Sequence, residues 1–271
     1  MVFIPERALA VTPHGDDVTL FAGGTIAKWV RTGCEVMVVR VTQDEKDAID
    51  LSPAEAVAVN REQFESAMAA LGVARTRHLD YRDCELMDAP YGELREKLIR
   101  TVREFRPDVI LSFDPGSTDE ENPDHWIAAR AAADAAWAAA YPNFHPEHRK
   151  EGLTPHVVRG CWYFTRHFDV GETAVDIADV LERKITAALK HVNMLKTLLH
   201  DQKQRVRRAG LSVPMLDLLS LDNYGPYWAK LIKGAAGLAA QGTEFVAAER
   251  FRSTVLDEND MLVQFLIAQS R

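Results

Sequence analysis

The stretch Ala8-Leu-Ala-Val-Thr-Pro-His-Gly-Asp-Asp17 decides the fold. Its residues 8–12 are a short apolar run that Pro13 stops, the pattern of a buried strand. A histidine and two adjacent carboxylates fill the turn that follows. Working outward, a helical pattern runs from Gly23-Gly24 through Trp29-Val30, and Gly33 closes it in the manner of a C-cap. Residues 35–41 are rich in valine and read as a second buried strand. Pro53 opens a long helix that ends at Leu71-Gly72, with apolar spacing at Phe64, Met68 and Leu71. Residues 77–81 give a short third strand. Residues 91–105 have helical periodicity at Leu94, Leu98, Val102 and Phe105, and Val109-Ile-Leu-Ser-Phe113 is a fourth strand. Strands alternating with helices predict a Rossmann-like, doubly wound α/β fold with a mainly parallel sheet and helices on both faces.

The pattern continues with an alanine-rich helix over 126–140 and a fifth strand over 156–164, and then changes. Residues 170–176 read as one more strand, 180–200 as one long amphipathic helix, 201–243 as irregular, and 244–250 as helical. The expected organisation is a catalytic part over 1–168 and a helical, irregular C-terminal part over 169–271. The latter packs on the sheet and completes the substrate pocket rather than forming an independent domain.

The 271 residues are 47% hydrophobic and 27% charged, ordinary values for a chain long enough to bury a sizeable core. A net charge of -8 argues against nucleic acid as a partner, since a phosphate backbone calls for a basic surface. The densest basic run, Arg205-Val-Arg-Arg208, reads as a solvated face. Cys34, Cys84 and Cys161 are too few and too scattered for a disulfide framework or a Cys-x-x-Cys zinc pair. The N-terminal residues lack the apolar core of a signal peptide, and no window of about 18 apolar residues exists. A cytoplasmic protein without membrane contact is expected, and a homo-oligomer is compatible with this composition.

In a doubly wound sheet the first strand sits in the middle, strands one and four are neighbours, and the loops at their C-terminal ends bound the ligand crevice. His14, Asp16 and Asp17 after strand one should therefore meet Asp114, Asn122, Asp124 and His125 after strand four. Imidazole and carboxylate donors suit zinc, and two histidines with one carboxylate leave a position for water, whose pKa such a metal lowers to about 7. One of the paired aspartates would bind the metal and the other would take the proton of the water. The competing reading is an acidic turn that only caps the next helix. Asp124 is expected to orient a neighbouring side chain. His167, after strand five, is read as an exposed histidine, with proton donation as the alternative.

Pro13-His-Gly-Asp-Asp17 resembles the Pro-His-Pro-Asp-Asp signature of the PIG-L/LmbE-like N-acetylglucosaminyl deacetylases. Gly23-Gly24-Thr25-Ile26-Ala27, Val41-Thr42, Arg61-Glu62, Leu71-Gly72, Tyr81-Arg82-Asp83, Phe113-Asp114-Pro115 and Pro123-Asp124-His125 extend the resemblance, with weaker matches over 184–191 and 244–249. The resemblance implies a zinc-dependent amidase on a Rossmann-like fold, with one Zn2+ per chain that Fe2+ can replace. Its implied substrate is a small N-acetylated amino sugar, from which it removes the acetyl group. By the same resemblance His14, Asp17 and His125 match the metal ligands and Asp16 matches the general base. Arg61 and Asp83 match positions that contact the sugar or its aglycone.

Three positions depart from that pattern. Gly15 replaces the usual proline. Asn122 stands where many members carry a histidine that steadies the oxyanion, and its amide can still donate a hydrogen bond there. The loop Thr42-Gln-Asp-Glu-Lys-Asp47 lacks both glycines of the family's Thr-x-Gly-Glu-x-Gly. Rival readings are a related metal amidase acting on a larger amide or thiol conjugate, a degenerate non-catalytic member, and a nucleotide-binding module. The last is opposed by the absence of Gly-x-Gly-x-x-Gly and by two carboxylates where a pyrophosphate needs backbone amides.

Overall fold

Strand β1 (Arg7–Thr12) is apolar on both faces: Ala8 and Ala10 enter one core layer, Leu9 and Val11 the other. The computed structural model describes residues 4–219, 223–255 and 261–270. After β1 come α1 (Asp17–Arg31), β2 (Glu35–Thr42), α2 (Pro53–Leu71), β3 (Arg75–Tyr81), α3 (Tyr91–Phe105), β4 (Val109–Phe113), α4 (Pro123–Ala138), the short α5 (Glu147–Lys150) and β5 (Gly160–Phe164). Then follow β6 (Thr173–Asp176), α6 (Leu181–Ala188), α7 (Val192–Arg208), α8 (Pro214–Leu218), α9 (Gly225–Ala239), β7 (Ala248–Val255) and α10 (Met261–Gln269). The sheet order is β3-β2-β1-β4-β5-β7-β6. Strands β1 to β5 are parallel, and β7 runs antiparallel to both β5 and β6. This is the expected mainly parallel α/β sheet, and β1 and β4 are neighbours as the winding rule requires. No helix among the described residues is long and apolar enough to cross a membrane.

Local signals set several boundaries. Helix α2 opens on a capping box between Ser52 and Glu55 with Pro53 in its first turn, and ends on Gly72 at φ 86, a left-handed conformation that glycine adopts without a side-chain clash.

Five boundaries differ from the sequence reading. Helix α1 starts at Asp17 and carries Gly23-Gly24 in its interior. Close packing requires the second of the pair, since a Cβ on Gly24 would stand 2.8 Å from Ile177, whereas one on Gly23 would come no nearer than 3.5 Å to its neighbours. The Glu249 carboxylate, held by Lys184 at 2.7 Å, also accepts the amides of Gly24 at 2.8 Å and Thr25 at 2.7 Å. The fifth strand starts at Gly160 because His156 donates its amide to the Ala139 carbonyl and turns its ring to the Pro107 carbonyl. The helix expected over 180–200 breaks near His191 (ψ 63), whose buried ring meets Thr19 Oγ1 at 3.1 Å. Residues 201–243 hold the end of α7 together with α8 and α9. The α9 core stripe Trp228, Ile232, Ala236, Ala239 was obscured by three glycines within the same helix. The helix expected over 244–250 does not form: residues 244–247 are irregular and 248–250 open β7, which covers the edge of β5 and gives β6 its partner.

Candidate metal and active site

The turn after β1 is fixed from three sides. Thr12 donates its hydroxyl to the His14 carbonyl at 2.6 Å, and the Asp17 carboxylate accepts the His14 amide at 3.1 Å. From β2, Thr42 donates both its amide and its hydroxyl to the Pro13 carbonyl. Asp44 takes the Gly15 amide at 3.0 Å.

These ties aim His14 and Asp17 at His125, on the first turn of α4. His14 Nδ1 lies 3.2 Å from Asp17 Oδ2 and 3.1 Å from His125 Nε2, and the third edge, His125 Nε2 to Asp17 Oδ2, is 3.5 Å. Nitrogen and oxygen donors about 2.0–2.2 Å from a tetrahedral ion stand roughly 3.3–3.6 Å apart, so this triangle matches one face of such a site. All three side chains are buried. Behind them, His14 Nε2 lies 3.2 Å from Asp83 Oδ1 and 3.5 Å from Asp124 Oδ2, and His125 Nδ1 lies 3.0 Å from Glu120 Oε2. Their approach to these ring nitrogens is off the hydrogen-bonding direction, so charge rather than a directed bond couples them. Carboxylates behind metal-binding imidazoles set ring orientation and raise ligand basicity. Phe113 stacks on the His125 ring at 4.1 Å.

The electrostatics favour a cation. Burial opposes charging of His14, yet Asp124, Asp17 and Asp83 hold its pKa well above the ordinary histidine value. Burial would raise Asp17, but His125 and His14 hold it below the usual carboxylate value. Asp16 goes the other way, pushed well up by burial and by the nearby charges of Asp17 and Asp47. It occupies the N-cap position of α1 without making a side-chain cap bond, so the cap-only reading of the acidic turn does not hold for Asp16. Its carboxylate lines the crevice instead.

Asn122 lines the same crevice and caps α4, its Oδ1 accepting the Asp124 amide at 2.9 Å. That assignment leaves the Asn122 NH2 as the group available to a ligand. Asp124 is fully buried and accepts the amides of Cys84 at 2.7 Å and Leu86 at 3.1 Å, an orienting position behind His14. Asp83 both lines the crevice and backs His14. Asp114 is held away from the triangle by a two-bond contact with Arg252 at 2.6 Å. Arg61 is not brought to the crevice: on α2 it pairs with Asp80, with 43% of its side chain exposed. His167 is exposed and also lies outside the crevice.

Sequence reasoning missed Glu120, Lys46 and Arg166. Glu120 is tied to Arg166 at 3.0 Å and accepts the Asn122 amide at 2.9 Å. It is one of several acidic residues in a long loop, and nothing local marks it as the partner of His125. Lys46 and Arg166 place two cations on the rim of a crevice of about 280 Å3.

Fold and site together define a class: a Rossmann-like α/β protein with a His–Asp–His triangle suited to one divalent ion at the C-terminal edge of its sheet. Residues 9–136 match the family described as PIG-L, GlcNAc-PI de-N-acetylase. The diacetylchitobiose deacetylase of Thermococcus kodakarensis is 31% identical over 189 residues, 69% of each chain. The 1D-myo-inositol 2-acetamido-2-deoxy-alpha-D-glucopyranoside deacetylase 1 of Catenulispora acidiphila is 33% identical over 168 residues, 53% of this chain and 52% of that one. The chain thus spans about half the length of that second relative. The solved N,N'-diacetylchitobiose deacetylase of Pyrococcus horikoshii superposes with a TM-score of 0.76 at 26% identity, covering 93% of this chain and 84% of that one. The chain belongs to the PIG-L family.

Proposed function

We propose that the protein is a zinc-dependent deacetylase that hydrolyses the acetamide of an N-acetylglucosaminyl substrate to acetate and a free amine. The observation that carries this reading is the donor triangle of His14, Asp17 and His125 with Asp16 beside it in the crevice. Family relatives named for deacetylating N-acetylglucosamine-containing compounds support the substrate class. A divalent ion held by the triangle would polarise the amide carbonyl and lower the pKa of water to about 7.

The rest of the chemistry falls to the chain. Asp16 accepts the proton that the attacking water loses and returns it to the leaving nitrogen, so no net proton is gained. The Asn122 NH2 donates to the carbonyl oxygen as negative charge develops there. Glu120, Asp83 and Asp124 hold the two imidazoles in orientation. Lys46 and Arg166 offer polar contacts to the sugar. The elevated pKa of Asp16 comes from burial and neighbouring carboxylates, and the positive charge of an ion would oppose it.

The test is metal analysis of the purified protein together with an assay of amine release from N-acetylglucosaminides, with and without chelator. Stoichiometric metal and chelator-sensitive turnover are expected. Turnover that survives complete metal removal would sink the proposal.

A further inference from the structure

Between α3 and α4 lies a cavity of about 490 Å3 that has no lining residue in common with the polar crevice. Arg130 follows His125 on α4 by five residues, a rise of about 8 Å along the helix, and the rest of the α4 lining lies further on. Ala133, Ala138 and Phe144 make the cavity apolar on one side. Trp137 adds a large ring that is braced against Phe144 at 5.3 Å and Tyr141 at 4.9 Å and is still 53% exposed. The remaining lining is charged: Arg95, Arg130 and Asp134.

These three charges do not cancel. Asp134 is fully committed, one oxygen accepting the Tyr91 hydroxyl at 2.7 Å and the other pairing with Arg130 Nε at 3.0 Å. Arg95 is left over. It is half-buried and stands 6.0 Å from the centre of the Tyr91 ring. Its Nε is closed off from solvent without an acceptor, and no carboxylate among the described residues pairs with its guanidinium. A guanidinium partly withdrawn from water without a counter-charge is unfavourable. The chain has 40 acidic residues against 32 basic ones, so a lack of carboxylates is not the reason.

We infer that this cavity binds a small organic anion, a carboxylate or phosphate ester carried on a planar ring. The anion pairs with the terminal nitrogens of Arg95, with Arg130 beside it, and the ring lies against Trp137 over the two alanines. The volume is that of an ordinary ligand pocket. The inference is independent of the chemistry at the metal triangle.

Calorimetric titration of the purified, metal-containing protein tests it with five probes: benzoate, phenyl phosphate, inorganic phosphate, benzyl alcohol and benzamidine. Benzoate or phenyl phosphate should saturate the protein with a roughly millimolar Kd, as expected of a ligand this small. Inorganic phosphate lacks the ring and benzyl alcohol lacks the charge, so both should bind about tenfold more weakly or worse, and the cation benzamidine should not bind. The metal could also hold an anion, so the titration is repeated in chelated protein. Binding at Arg95 survives chelation, whereas binding lost with the metal overturns the inference.

Two variants locate the site. Arg95→Gln should weaken the ring-bearing anion about tenfold or more, with Arg95→Lys in between. Trp137→Leu, at an exposed position, should weaken it several-fold and leave inorganic phosphate unchanged. Neither residue touches the crevice, so turnover in the absence of probe should stay at the wild-type value in both. No saturation by either ring-bearing anion up to about 20 mM, or affinity that Arg95→Gln leaves intact, overturns the inference. Equal affinity for phosphate and phenyl phosphate removes the ring from it and overturns the proposal as stated.

Discussion

The crevice has two walls of opposite character. The loops after β1, β3 and β4 supply carboxylates and imidazoles, nearly all tied to a backbone amide or another charge. Helices α1 and α7 supply Leu20, Phe21, Met194 and Leu198, which line it only through apolar surface, and Trp228 of α9 lines the neighbouring cavity that shares Leu20, Phe21 and Leu198. The difference separates two kinds of requirement. The loop wall depends on donor atoms within a few tenths of an ångström, so single atoms matter. The helical wall depends on volume and polarity, which many side chains can meet. Damage to the first should abolish metal binding or turnover, and damage to the second should redistribute preference among substrates.

The largest effect is expected at Asp16. Asp16→Asn keeps the shape and removes the proton acceptor, so kcat should fall by about 100- to 10,000-fold with bound metal unchanged. Metal analysis beside steady-state kinetics checks it, and a fall in metal content equal to the fall in turnover would make Asp16 a ligand instead. A smaller effect is expected behind His125. Glu120→Gln retains the contact but not the charge, and metal affinity should weaken about 10- to 100-fold. Competition with a chelating dye measures this, and unchanged affinity would reduce Glu120 to a loop anchor for Arg166.

Much of the loop wall was legible in the sequence because the winding rule converts chain order into neighbours: β1 next to β4 brings residue 14 to residue 125. Asp16 and Asp17 could be paired with His125 on that ground. Glu120 could not, because its role depends on a loop path that no periodicity encodes. The helical wall was obscured for another reason. Helix α9 keeps a regular stripe at 228, 232, 236 and 239, but its glycines lower helix propensity, and tertiary packing overrides it. The 248–255 strand was missed because its formation answers to a distant need, the open edge of β5.

A pH experiment probes the border between the walls. Asp47 lines the crevice, and burial, then the charge of Asp44, pushes its pKa up to about 7. A carboxyl raised in the folded state binds its proton more tightly there than in the unfolded chain. Its contribution is fully present below the unfolded value near 4 and is lost as pH rises through about 7. Asp47→Asn removes that loss. In chelated protein the variant should be more stable than wild type by about 2 kcal/mol at pH 8, with the gap closing near pH 4.5. Thermal melts at both pH values check it, and a gap independent of pH would assign the effect to packing.

The smallest effect tests two departures from the family signature as one unit. Gly15 stands where the signature has proline, and Asp44 where the loop signature has glycine. Asp44 sits at φ 56, a costly conformation for a residue with a side chain, and its Oδ2 accepts the Gly15 amide at 3.0 Å. A proline at 15 has no amide to give. A Cβ there would also stand 3.1 Å from the same oxygen. Asp44 further neutralises the buried Arg40 at 3.3 Å, so Asp44→Gly alone should destabilise strongly. That loss occurs equally on either background and cancels in a double-mutant cycle. What remains is the contact between the two positions. Gly15→Pro should therefore cost about 1 kcal/mol less in the Asp44→Gly background than in the wild type. Denaturant melts of the four proteins give the coupling. Additivity within about 0.5 kcal/mol would show that the two departures arose without reference to each other.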